Sequence, residues 1–154
     1  LCSSLSNVEV VDIKCGYSHT LVLTSNQIVY SFGNNDYGQL GRETNSSYQI
    51  EGLSDIVRIE CGHNHSLCID INGDLYVFGD NGENRLGLGE QIKIERPTKH
   101  FLSNIIDISS RGKNVFVKTN ANEIFTLQTE SNQDFTPIQL FQDNEDIWCT
   151  NRFS

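Results

Sequence analysis

Methionine is absent from the 154 residues, alanine occurs once, as Ala121, and there are one tryptophan and two prolines. A chain nearly without Ala and Met lacks two of the best helix formers, which argues against an α-helical fold. No apolar run approaches the roughly 18 residues of a membrane-spanning helix. Basic side chains are scarce as well: eleven Lys and Arg face twenty Asp and Glu, for a net charge of −9. Affinity for nucleic acid comes mainly from cations that neutralise phosphate, so direct DNA binding through a broad basic face is not expected. There is no Gly-x-Ser-x-Gly elbow, no Gly-x-x-x-x-Gly-Lys-(Ser/Thr) loop and no Gly-x-Gly-x-x-Gly ahead of a helix. A hydrolase or kinase therefore has nothing to build on. Cys2, Cys15, Cys61, Cys68 and Cys149 are odd in number and irregularly spaced, which does not suit a disulfide framework. The first ten residues hold no basic start followed by an apolar core, and the expectation is a reducing compartment, cytoplasmic or nuclear. With Leu1 first and no Met, the chain is expected to be processed or a piece of something longer.

What the sequence holds instead is fifteen Ile, sixteen Asn and twelve Gly, a mixture of branched strand formers and turn formers. It also repeats. Val11-Asp12-Ile13-Lys14-Cys15-Gly16-Tyr17-Ser18-His19-Thr20-Leu21 returns 46 residues later, without a gap, as Val57-Arg58-Ile59-Glu60-Cys61-Gly62-His63-Asn64-His65-Ser66-Leu67. The same shift carries Val29-Tyr30-Ser31-Phe32-Gly33 onto Leu75-Tyr76-Val77-Phe78-Gly79, and Gly33-x-Asn35-x-x-x-x-Leu40-Gly41 onto Gly79-x-Asn81-x-x-x-x-Leu86-Gly87. A third copy lies a further 49 residues on, where Ile106-Asp107-Ile108 aligns with Val57-Arg58-Ile59 and residues 123–127 align with 74–78. That copy is degenerate: Arg111, Asn114 and Gln128 stand at the places of Gly62, His65 and Gly79. Asp146-Ile147-Trp148-Cys149 resembles a fourth start. Periods of 46 and 49 belong to propeller blades, solenoids and arrays.

Within a unit, strands are expected near 11–15, 19–24 and 28–32, followed by a Gly/Asn-rich loop and a weaker fourth strand. Leu21 and Leu23 alternate onto one face. Asn72-Gly73 reads as a hairpin turn in which both residues take positive φ. Four antiparallel strands in 46 residues make a propeller blade. Its glycines are read as bends where backbones approach closely, and Asn84 at the place of Gly38 fits, because Asn also tolerates the left-handed region.

The pattern Cys-Gly-x-x-His-(Thr/Ser)-Leu, then an Asn/Gly turn, then Val-Tyr-Ser-Phe-Gly-Asn-Asn-Asp-Tyr-Gly-Gln-Leu-Gly over residues 29–41 resembles the RCC1 (regulator of chromosome condensation 1) repeat. The resemblance is strong over 11–89 and weak over 106–127. It implies an all-β fold of RCC1-like β-propeller blades: about three four-stranded antiparallel blades of a ring that in the family has seven. The expected division is 1–10, the end of a preceding blade; 11–56, repeat 1; 57–105, repeat 2; 106–146, a degenerate repeat 3; and 147–154, the start of a further repeat. The repeat-signature residues are Gly16, His19, Gly33, Gly38, Gln39, Leu40, Gly41, Gly62, His65, Gly79, Leu86 and Gly87, expected to serve the blades structurally.

Two constellations invite chemistry. Cys61-x-His63-x-His65-x-x-Cys68 packs four zinc-type donors into eight residues, but on a strand 61, 63 and 65 share a face that 68 does not. Cys61 and His65 recur as Cys15 and His19, and a repeated position is expected to serve the blade. His19 and His65 are read as neutral imidazoles hydrogen-bonded inside each blade, in preference to general bases. No cofactor and no metal is expected. What remains is surface: the loops 34–37 and 80–85 occupy equivalent turns and should emerge side by side as polar, acidic patches, with Asn35, Asp36, Tyr37, Asn81, Glu83 and Arg85 as contact residues. The inter-blade stretch 93–100 is the one basic cluster, too short and mixed for nucleic acid. The functional expectation is a non-enzymatic interaction module, a scaffold or adaptor that binds a protein partner. The resemblance adds two alternatives, guanine-nucleotide exchange on a small GTPase of the Ran type and the substrate-binding propeller of a ubiquitin-ligase assembly. Self-association through open blade edges is also expected.

Overall fold

The computed structural model describes residues 8–44 and 48–128, together with the backbone of one strand at 138–142. The expected fourth start at 147–154 lies outside the described residues. Among the described residues, eleven strands form three antiparallel sheets. The first contains β1 (Val10–Cys15), β2 (His19–Thr24) and β3 (Val29–Gly33), in that order. In the second, β4 (Ile56–Cys61), β5 (His65–Asp70), β6 (Leu75–Asp80) and β7 (Lys93–Lys99) lie side by side. The third runs β8 (Ile105–Arg111), β9 (Asn114–Thr119), β10 (Glu123–Thr126) and β11 (Ile138–Gln142). These are blades 1, 2 and 3 of an all-β, propeller-like stack. No helix among the described residues is long and apolar enough to cross a membrane.

The repeat in sequence becomes a repeat in register. Ile13 opposes Val22, Ile59 opposes Cys68 and Ile108 opposes Val117, and each first strand carries a bulge at one shared place, between 10 and 12, 56 and 58, and 105 and 107. The bulged residues are Val11, Val57 and Ile106, and all three are exposed. An extra residue in one strand leaves the ladder and turns its side chain out, which is why an apolar residue recurs there without joining the core.

Blades pack face to face. β4 lies against β1 and β2, and β8 against β4 and β5, so the middle sheet is covered on both sides. β5 is buried at every position. The alternation expected of the second strand is overridden in blades 1 and 2 alike, since β2 is also buried at every position but Thr20. Phe78, Leu67, Ile69 and Leu75 fill the core of this blade, each burial contributing about 1.5–3 kcal/mol before entropy is charged.

The edges differ from the sequence reading in two places. Residues 93–99, read as an inter-blade stretch, form the outermost strand, with Pro97 tolerated because an edge strand has an unneeded N–H side. Its cations are paired: Lys93 with Glu95 at 2.8 Å, Arg96 with Glu43 at 2.8 Å and Lys99 with Asp74. In blade 1 the corresponding edge is a single bridge, Tyr30 to Gln49, flanked by Ser31 N–H to Tyr48 O and Ile50 N–H to Val29 O, both 2.9 Å. The hairpin turn also differs. Gly73 alone is left-handed (φ 80°), as Gln27 (64°) and Asn122 (61°) are in the other blades. Gly73, Gln27 and Asn122 each donate N–H to the carbonyl three residues back, from 2.8 to 3.0 Å, so Asn72 is not the first half of a two-residue turn with both φ positive.

Candidate functional site

Each signature histidine begins its own strand and bonds to the next blade. His19 and His65 are the first residues of β2 and β5. His19 Nε2 lies 2.9 Å from Ser66 Oγ, and His65 Nε2 lies 2.8 Å from Ser110 Oγ. The hydroxyl protons are already committed, Ser66 Oγ donating to Gln39 O at 2.8 Å and Ser110 Oγ to Asn114 O at 3.0 Å. A hydroxyl has one proton, so the ring must be the donor, which fixes both histidines as the Nε2–H tautomer. Their Nδ1 atoms are buried without a hydrogen-bond partner. Burial pushes His19 down to about 4 and His65 to about 3, with the Arg85 charge adding to the effect at His65. Both rings are neutral at pH 7. The bond crosses the blade boundary and does not close inside each blade, as the sequence alone suggested.

The glycines beside these rings have no room for a side chain. A Cβ on Gly16 would sit 2.1 Å from His19 Cε1 and one on Gly62 2.1 Å from His65 Cε1. Gly33 and Gly79, at φ 107° and 108°, pair with His19 and His65 across the ladder, and a Cβ would lie 2.4 and 2.5 Å from the Ser18 and Asn64 carbonyl oxygens. Gly41 of blade 1 lies against the Phe78 ring of blade 2. Gly87, its counterpart, lies against His100 and the Leu127 carbonyl. His100, which the repeat does not mark, is a third buried histidine: its Nδ1 accepts Leu102 N–H at 3.1 Å, and burial lowers it to about 4.

The loops after β3 and β6 share one frame. Asn35 Oδ1 accepts Leu40 N–H at 2.9 Å, and Asn81 Oδ1 accepts Leu86 N–H at 2.8 Å. Gly38 (φ 81°) and Asn84 (51°) are both left-handed, and each donates N–H back to that asparagine's carbonyl. Leu40 and Leu86 plug the loops into the core. Inside the first frame Gln39 Nε2 donates to Asn34 Oδ1 at 2.8 Å; inside the second Arg85 Nη1 donates to Asp80 Oδ2 at 2.7 Å.

This geometry corrects part of the contact list. Asn81 is 2% and Arg85 4% exposed, and both spend their polar atoms on loop backbone or on Asp80, so neither faces a partner. Asn35 is half-buried and bonded at both ends, its Nδ2 donating to Arg42 O at 2.9 Å. Asp36, Tyr37 and Glu83 are exposed, with Glu83 3.7 Å from Lys113. Around the zinc-like cluster, Cys61 Sγ donates to Lys14 O, His63 meets the Tyr17 ring at a tilt, His65 reaches Ser110 and Cys68 sits in the core. Among the described residues no three such side chains converge on one point. Ser66, Ser110 and Arg42 escaped the sequence reading. Only Ser66 carried a signal, a hydroxyl after the histidine in both good units.

Comparison with known proteins agrees with this geometry. Two models of the regulator of chromosome condensation (RCC1) repeat match, one over residues 28–69 and one over 10–39 and 56–85. Human WBSCR16 superposes with a TM-score of 0.75 at 28% identity, covering 87% of this chain and 40% of that one. Prp20p from Saccharomyces cerevisiae, described with its binding properties to Gsp1p and histones, gives 0.67 at 21% identity, covering 77% of this chain and 30% of its own, and so shows the fold. Among curated sequences, human HERC4, a probable E3 ubiquitin-protein ligase, is 44% identical over 46 residues, 30% of this chain and 4% of that protein. The human RCC1-like G exchanging factor-like protein is 53% identical over 34 residues, 22% and 7% of the two chains. The chain thus spans less than a tenth of the curated relatives it matches. Two matched units in one register, with the signature residues placed alike in both blades, identify residues 10–85 as repeats of the RCC1 type.

Proposed function

We propose that this chain is a protein-binding module, a scaffold without chemistry of its own, and that it reads its partner through the loops after β3 and β6. The observation that carries this is the division of labour inside those loops: Asn35, Asn81, Gln39 and Arg85 hold the frame from within, while Asp36, Tyr37 and Glu83 project from it. A loop that spends buried polar groups on rigidity presents its exposed groups at low entropic cost, which favours recognition. Two exposed acids and an exposed aromatic ring, on a chain of net charge −9, suit a basic protein surface. Prp20p, which shares the fold, is described with its binding properties to Gsp1p and histones, and histones present such a basic surface.

The second reading is exchange of guanine nucleotide on a small GTPase, favoured by the match to the RCC1-like G exchanging factor-like protein. Exchange needs only a surface that displaces a nucleotide, so it leaves no catalytic motif. A place in a ubiquitin-ligase assembly rests on HERC4 in the same way. One experiment separates them. The chain is mixed with small GTPases loaded with fluorescent nucleotide, and in parallel its binding to histones is titrated. Histone binding that falls at least tenfold in a D36K/Y37A/E83K variant, without faster nucleotide release, supports the module. Accelerated release supports exchange, and binding unchanged by the variant sinks the loop assignment.

A further inference from the structure

An open groove of about 260 Å³ crosses the boundary between blades 2 and 3, and its lining lies wholly among the described residues. It sits at the hairpin-turn end. β6 leaves the 70–74 turn at Leu75 and reaches the 80–85 loop at Asp80, so the groove and the loops lie at opposite ends of the blade. Three backbone bonds fix the walls: Ile71 N–H donates to Asp55 O at 2.9 Å, and Ile105 N–H to Gly73 O and Asn120 N–H to Asn104 O, both at 3.0 Å. The groove is therefore preformed, which lowers the ordering cost of filling it.

Three branched aliphatic side chains on it stand open to solvent: Ile71 is 64%, Ile106 44% and Val57 42% exposed. Beside them Arg58, its side chain 51% exposed, meets Asp107 Oδ1 through Nη1 at 3.3 Å. That oxygen also accepts Ile108 N–H at 3.0 Å, so the pair is loose, and the Nε and Nη2 edge of the guanidinium is the fork that a carboxylate fits. The repeat does not account for this set. A position that serves the blade recurs, as the signature glycines and histidines do. Ile71 does not recur, since Ser25 and Asn120 stand at its place in blades 1 and 3, and the counterparts of Arg58 are Asp12 and Asp107. An exposed isoleucine and an exposed ion pair contribute little to the fold, yet both are placed on this one groove.

We infer that the groove is a docking site for an extended segment of a partner protein that carries an aliphatic side chain close to an Asp or Glu. The aliphatic side chain covers Val57, Ile71 and Ile106, and the carboxylate takes the free edge of Arg58. The volume falls below the roughly 300–1,000 Å³ of sites that enclose a cofactor or drug-sized ligand, and an open groove leaves a small molecule largely wet. A peptide held by chain beyond both ends escapes that limit. The exposed side-chain amides of Asn72, Asn104 and Asn120 line the same groove, and each brings a donor and an acceptor suited to a peptide main chain. This site goes beyond the loop reading and does not depend on it: the loops suit a basic surface, the groove an acidic segment.

The test probes the chain with an array of octapeptides that pair Leu, Ile or Val with Asp or Glu, beside matched sets in which Lys or Gln replaces the acid. The expected result is retention of aliphatic–acid peptides at least tenfold above both matched sets. The best of them, added in solution, shifts the methyl resonances of Val57, Ile71 and Ile106. Ile71→Ser, which copies blade 1, and Arg58→Gln each weaken its binding at least tenfold while the melting temperature stays that of the parent. The loop variant D36K/Y37A/E83K leaves it unchanged, so failure of the groove and failure of the loops read out separately. Equal retention of acidic and basic sets, retention of none, or binding that survives Ile71→Ser overturns the inference. So does self-association of the chain without peptide that Ile71→Ser abolishes, which would seat a second copy in the groove.

Discussion

Arg85 and Asp80 occupy in blade 2 the positions that Gln39 and Asn34 occupy in blade 1, and each pair makes one hydrogen bond in the same place, 2.7 Å for the ions and 2.8 Å for the amides. The acceptors match in a second bond, since Asp80 Oδ1 takes Gly82 N–H at 2.8 Å and Asn34 Oδ1 takes Asp36 N–H at 3.0 Å. One loop fold is thus held by an ion pair or by its neutral analogue. A buried ion pair gains little over a neutral one, but removing one ion strands the other, at a cost of about 3–5 kcal/mol. Arg85→Leu is expected to destabilise the chain by roughly that amount. The double variant D80N/R85Q, which copies blade 1, should stay within about 1 kcal/mol of the parent. Urea titration of the parent, D80N, R85Q and the double variant gives the coupling.

Glycine and histidine are tied by contact. Gly62→Ala places a Cβ about where His65 Cε1 is, 2.1 Å away, so the ring must leave and the bond to Ser110 is lost. The expected destabilisation is about 2–4 kcal/mol, from overpacking and a broken buried hydrogen bond together. Adding His65→Asn should recover part of it, because blade 3 shows the alternative: where Asn114 replaces the histidine, Arg111 replaces the glycine. If the double variant melts lower than Gly62→Ala alone, the steric coupling is wrong.

Three buried neutral histidines make the chain acid-labile. His19 and His100 are lowered to about 4 and His65 to about 3, against 6.5 for a free ring, with desolvation the largest cause in each case. Below pH 6.5 the unfolded chain takes up protons that the folded chain refuses, so stability falls as pH drops, by about 1.4 kcal/mol per unit for each ring and roughly 4 kcal/mol per unit for three. The slope eases near pH 4, where His19 and His100 begin to titrate in the folded state, and further near pH 3. Glu60, raised chiefly by burial, works in the opposite direction above the usual carboxylate range. Denaturation midpoints measured from pH 7 to pH 4 check the sign, and a midpoint flat below pH 6.5 would contradict it.

The periodic part of this molecule was legible because blades are built by repetition. The 46-residue shift located β1–β6, the signature glycines and the loop frame, and Asn84 at the place of Gly38 announced its left-handed φ. What was not legible depends on the neighbouring blade. Ser110 receives His65, but its counterparts in sequence are Cys15 and Cys61, so nothing marked it as an acceptor. Arg85 read as a surface charge because a sequence does not show Asp80 folding back on it. His100 lies where the repeat offers no counterpart. The buried or exposed state of Ile13 and Ile59 is set wholly by whether another sheet lies on top, and identical residues gave no warning of the difference.

The hairpin turns offer a last check on equivalence between blades. One turn position is left-handed in all three, filled by Gln27, Gly73 and Asn122 at φ 64°, 80° and 61°. Asn tolerates that region, whereas Gln carries a penalty of about 1–2 kcal/mol that glycine lacks. Glycine also loses more chain entropy on folding, which offsets about 0.4–1 kcal/mol of the gain. Gln27→Gly should therefore stabilise blade 1 by up to about 1.6 kcal/mol. The reverse change in blade 2 is not symmetrical. A Cβ on Gly73 meets the Asn104 Cα and the Ile105 backbone at 3.1 Å, where blade 3 begins and Ile105 N–H donates to Gly73 O at 3.0 Å. Gly73→Gln should thus cost more than the turn strain alone, about 2 kcal/mol or above, and should speed amide exchange at Ile105. Thermal melts of both variants with amide exchange over β8 test the pair. Equal and opposite shifts would show that the turn acts alone, without the blade packed against it.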